Sequence, residues 1–125
     1  ELLLAWVTRI SASDRATHPL VPCVIDAQFA PSLLALDDGQ LDKALKATVD
    51  VLTGLVRTVS GREAHPLRSS AGAGAVSRRR DADGALCYRV YIEQHVPAAR
   101  RLHYWQTASG GIELIRVVTH DVVEP

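Results

Sequence analysis

Two histidines and a set of arginines in the last third of the chain have the spacing needed for phosphate chemistry. Residues 86–92 read Leu-Cys-Tyr-Arg-Val-Tyr-Ile, with every even position apolar or aromatic, so Arg89 and Tyr91 point to the other side of an extended strand. Residues 100–107 and 112–120 read as two further strands, joined through Ser109-Gly110-Gly111, a glycine pair suited to a hairpin. With an even loop count, Arg101, His103 and Trp105 share a face with Leu114, Arg116, Val118 and His120, while Leu102 and Tyr104 share the other with Ile115 and Val117. An odd count would separate the basic set, and the apolar match favours the even one. The face so assembled carries forked guanidinium donors that grip phosphate oxygens in pairs. Its imidazoles exchange protons near neutral pH.

The formal net charge is zero, but the charges are unevenly placed. Residues 1–56 hold four basic and seven acidic side chains, and residues 57–125 hold ten basic, all Arg, and seven acidic. A neutral chain of this kind still presents a basic face. Its 125 residues, 47% of them hydrophobic, suit one domain with one core. Cys23 and Cys87 fit neither a zinc knuckle nor a disulfide framework and are expected as reduced core thiols, as in a cytoplasm. The apolar start, about seven residues long, falls far short of the roughly 20 that a membrane span needs, so no membrane association is expected.

The elements that must position the basic face lie upstream. Residues 1–10 read as an added strand or helix, and the Ser-, Asp- and Pro-containing stretch after them as linker. A first strand is expected over residues 21–29. Pro31 then opens a short helix striped by Leu33, Leu34 and Leu36, and Asp37-Asp38-Gly39 breaks it. Leu41, Leu45, Val49, Leu52, Leu55 and Val56 keep helical period, predicting a long amphipathic helix from Gln40 to about Val59, ended by Ser60-Gly61. The small-residue run 69–75 reads as a surface loop. Its Gly72 and Gly74 lack the strand and the Lys-Ser or Lys-Thr of a phosphate loop. Arg78-Arg79-Arg80-Asp81 either leads into the residue-86 strand or hairpins onto it through Asp83-Gly84.

A strand, an αα hairpin and three or four antiparallel strands thus follow in order. Along them lie Phe29-Ala30-Pro31-Ser32-Leu33-Leu34-Ala35-Leu36 before the long helix, and His65-Pro66-Leu67-Arg68 after it. Tyr88-Arg89-Val90-Tyr91, Arg101-Leu102-His103-Tyr104-Trp105 and the His120-Asp121 ending follow. This series resembles the RelE/ParE toxin superfamily of bacterial toxin–antitoxin systems. The resemblance implies an α+β fold, with an N-terminal strand and αα hairpin packed on a small, mainly antiparallel sheet of three to five strands. Residues 21–125 would form the toxin domain, and residues 1–20 an extension outside the family pattern.

For a RelE-like member the resemblance further implies a cytoplasmic endoribonuclease, independent of metals and other cofactors, that cuts messenger RNA in the ribosomal A site. There the 2′-hydroxyl attacks the adjacent phosphate, which calls for a base, an acid and cations on the phosphate. On that analogy His120 is the general acid or base with His103 as partner, and Arg101 and Arg116 hold the phosphate. Arg89 positions the backbone, Tyr91 or Trp105 stacks on a base, and His65 and Arg68 flank the site. The implied partners are a cognate antitoxin and RNA or the ribosome. The chain is neutral, however, and has no Tyr after Tyr104, whereas ribosome-cutting members are usually basic and often carry a late Tyr. A ParE-like toxin acting on DNA gyrase and a non-catalytic binding module on the same fold are the alternatives.

Overall fold

The structure, a computed structural model, describes residues 2–58, 61–68 and 77–125. The run containing Gly72 and Gly74, and the expected helix end at Val59 and Ser60, lie outside the described residues. The elements are α1 (Leu2–Arg9), β1 (Cys23–Ile25), α2 (Phe29–Leu34), α3 (Asp38–Thr53), a 3-10 turn (Leu55–Arg57), β2 (His65–Pro66), β3 (Leu86–Tyr91), β4 (Arg100–Gln106) and β5 (Ile112–Thr119). The strands form one sheet in the order β1-β5-β4-β3-β2, parallel only between β1 and β5. The expected α+β architecture is therefore present. Among the described residues no helix is long and apolar enough to cross a membrane.

Local chemistry explains the departures from the expected boundaries. Asp37-Asp38-Gly39 does not simply break a helix. Asp37 caps α3, accepting from the Gln40 amide at 2.8 Å while the Gln40 side chain accepts from the Asp37 amide at 3.1 Å. The long helix stops at Gly54, whose left-handed backbone (φ 79°) ends the α-helical hydrogen bonding before Ser60-Gly61 is reached. Pro31 is the third residue of α2 and not the first, still within the turn whose amides have no intrahelical acceptor. The first strand shrinks to Cys23–Ile25, Leu2–Arg9 form a helix, and His65-Pro66 pairs with β3 as a two-residue edge strand. Of the two options for the triple-Arg run, the hairpin form is seen: Arg79 bridges Leu86 across the turn at Asp83-Gly84.

The β4–β5 hairpin decides which side chains face which way. Its loop spans the five residues 107–111, an odd count that correctly pairs Tyr104 with Leu114 but would turn Arg116 toward the helices. A β-bulge opposite His103 and Tyr104 corrects the parity: His103 pairs with Arg116 and Leu102 with Val117. Leu114 and Ile115 therefore exchange the faces expected of them. Leu114 joins Tyr104, Leu102, Val117 and Val90 in the core beneath α2 and α3. Ile115 joins Leu67, Cys87 and Trp105 in a small cluster on the opposite face. Burial pushes the Cys87 thiol up to about 12, consistent with an inert core thiol.

A buried carboxylate ties the helical layer to the sheet. Asp50 of α3 is fully buried and accepts from Arg9 at 2.6 and 2.9 Å and from Arg62 at 2.8 Å. Arg62 also donates to the Tyr91 carbonyl at 3.0 Å, and the Tyr91 amide returns a bond to the Arg62 carbonyl at 2.8 Å. The helix α1 is thereby tied to α3 through Arg9. Removing the carboxylate leaves two guanidinium groups without their charge partner. Asp50→Ala is expected to lower unfolding stability by about 3–5 kcal/mol, read from the urea midpoint at constant slope, with Arg9→Ala costing less because Arg62 still neutralises Asp50.

Candidate functional site

On the sheet face away from the helices, β2, the end of β3 and the turn after β5 enclose an open groove of about 600 Å³. It is lined by His65, Pro66, Leu67 and Arg68 around β2, by Arg89 and Tyr91 of β3, and by His120, Asp121 and Val123 after β5. Five of the nine candidate residues are thus brought together: His65, Arg68, Arg89, Tyr91 and His120. Asp121 is turned onto this face because the chain bends after Thr119, closing a Val122 amide to Thr119 carbonyl bond at 3.2 Å. The Thr119 hydroxyl donates to Asp121 at 2.6 Å and holds its carboxyl below the usual range. Among the described residues no group of three or more His, Cys, Asp or Glu could hold a metal ion.

The other four candidates lie elsewhere. Arg101 stacks behind Tyr91, its guanidinium carbon 3.9 Å from the ring centroid, and donates to the carbonyls of Glu93 and Arg100 at 3.0 and 3.1 Å. It supports Tyr91 and sits in a separate hollow of about 210 Å³ with Glu63, Gln94 and His95. Trp105 is committed to the Leu67–Cys87–Ile115 cluster. Its ring is covered by Arg80 at 5.1 Å, which Asp83 and Glu113 hold at 2.9 and 2.6 Å.

His103 and Arg116 are neighbours in register, and the segment after β5 crosses back over them. The Glu124 carbonyl accepts from Arg116 Nη2 at 3.2 Å and stands 3.1 Å from His103 Nδ1; the Val123 carbonyl accepts from Arg78 Nε at 2.8 Å. His103 is 0% exposed. It does not reach the groove as the expected partner of His120. Burial first, and then the charges of Arg116 and Arg89, push its pKa down to about 4. The groove's second histidine is instead His65. The roles of Val123 and Glu124 left no signal in the sequence, because they act through backbone carbonyls.

The chain superposes on a chain of the crystal structure of the archaeal RelE–RelB complex from Pyrococcus horikoshii OT3. The TM-score is 0.55 and the identity 12%, over 82% of this chain and 97% of that one. The chain has a RelE-like fold. No protein-family model and no curated protein matches the sequence, so the RelE likeness is one of architecture, shared despite nearly complete divergence of the side chains.

Burial of neutral His103 makes stability depend on pH. An unfolded chain protonates this imidazole near its ordinary value of 6.5, the folded chain only near 4. The stabilisation is therefore complete above about pH 6.5 and is lost as pH falls toward 4. His103→Gln is expected to flatten the stability profile across that window by on the order of 3 kcal/mol, measured by urea unfolding at a series of pH values.

Proposed function

We propose that the chain is the toxin of a toxin–antitoxin pair and an endoribonuclease that cuts messenger RNA on the ribosome without a metal ion. The observation that carries this reading is the groove itself. On a RelE-like fold, it has two histidines among its lining residues together with Arg68, Arg89 and Tyr91. Those side chains supply the types that attack by a 2′-hydroxyl requires: a proton acceptor, a proton donor, and cations for the charge that develops on phosphate.

His120 is exposed at the end of β5 and either takes the proton of the 2′-hydroxyl or gives a proton to the leaving 5′-oxygen; His65 serves the other end of the in-line displacement. Arg89, anchored in β3, and Arg68 bind the nonbridging oxygens. Tyr91 offers its ring to a base, with Arg101 packed on it and Arg62 holding its carbonyl. The solved neighbour is a RelE–RelB complex, and by analogy the partner of this chain is a RelB-like antitoxin that covers the groove. The gyrase alternative uses the fold without this chemistry and is separated by the same experiment.

Induction in bacteria is expected to arrest growth and create new internal messenger RNA ends. His120→Ala should reduce cutting about 10²–10⁴-fold, and Arg89→Ala should also remove the arrest. Arrest that persists without cuts would move the function to another target, and no arrest at all would leave a binding module.

A further inference from the structure

The strand row under the C-terminal segment has more hydrogen-bonding capacity than that segment uses. Cross-strand register sets Arg89, His103 and Arg116 side by side on β3, β4 and β5. Because a carbonyl only accepts, the contact with Glu124 fixes the proton of His103 on Nδ1, and that N–H is the donor His103 offers to another oxygen once the carbonyl leaves. Arg116 Nε is a buried donor with no partner among the described residues. Interiors seldom leave such atoms unsatisfied. The two carbonyls that cover this row belong to residues 123 and 124, in a segment outside any helix or strand.

We propose that residues 121–125 are a strap over a latent oxyanion subsite, in which Arg116, His103 and Arg78 take an RNA backbone phosphate when the strap lifts. This rests on the reading of the adjoining groove as an RNA site and deepens it by adding a second phosphate position and a means of closing it. Arg89 belongs to both the groove and the cross-strand row, so a strand seated on Arg68 and Arg89 has its neighbouring phosphate directed toward Arg116. The strap's peptide oxygens carry only partial charge. Phosphate oxygens carry full charge and accept shorter, stronger bonds from the same guanidinium groups. The strap therefore acts as an internal mimic of substrate, and the closed chain is the resting form.

The test titrates inorganic phosphate into the full chain and into a chain ending at Val122, following side-chain and amide resonances. The shortened chain should bind phosphate about tenfold more tightly, and Arg116→Ala should cancel that gain. In the full chain, the Val123 and Glu124 resonances should move toward unstructured positions as phosphate saturates. Equal affinities, or a gain that survives Arg116→Ala, overturn the subsite. Should the shortened chain not fold, the full-chain titration decides alone, and Val123 and Glu124 resonances that never move overturn the strap. RNA cleavage is scored separately. A phosphate gain without cleavage keeps the subsite and removes the nuclease reading, and cleavage without the gain does the reverse.

Discussion

One extra residue in β5 determines what the outer face of this sheet is. Side chains alternate along a strand, so a hairpin with five loop residues and no bulge would carry Arg116 into the apolar layer beneath α2 and α3. The bulge opposite His103 and Tyr104 sends both Ile115 and Arg116 outward. Ile115 then fills the Leu67–Cys87–Trp105 cluster that holds β2 against the sheet, and Arg116 completes the row with His103 and Arg89. The α2 helix takes part, since the Val117 amide donates to the Ser32 hydroxyl at 2.9 Å. A backbone donor just past the bulge is thereby satisfied.

A second constraint reaches the groove from the helical side. Asp50 has no access to water, so its charge has to be met by Arg9 and Arg62, and meeting it fixes where both segments lie. Arg62 passes that restraint to the Tyr91 carbonyl, at the edge of the groove. Tyr91 is then held from the backbone by Arg62 and across its ring by Arg101. The aromatic platform of the groove is stiffened by two cations, neither of which lines it.

The parts of this arrangement that follow from period were legible in the sequence. The alternation in β3, the apolar stripe of α3 and the order of elements gave the sheet, its helical cover and the RelE-like architecture. What period cannot encode was not legible. Leu114 and Ile115 are equally apolar, so nothing local says which one a bulge turns outward. Val24 and Ile25 look like strand core yet are 62% and 52% exposed, because β1 lies at the sheet edge. His103 reads as a surface imidazole until residues 123–124 are folded over it, and that contact spans 21 positions of sequence. Of the groove residues, His65, Arg68, Arg89, Tyr91 and His120 were found from strand order and motif position. Asp121 was missed, because a turn and not a straight strand follows Thr119.

On the proposed function, the groove lined by His65, Arg89 and His120 directs a 2′-hydroxyl onto its own phosphate. The most direct measurement uses purified chain, translating ribosomes and a chelator, with a messenger carrying a single 2′-deoxynucleotide at the A-site position where the ribose messenger is cut. Cleavage of the ribose messenger to a 2′,3′-cyclic phosphate end, absent from the deoxy-substituted one, is the expected result. Cleavage of both messengers, or of neither, contradicts it.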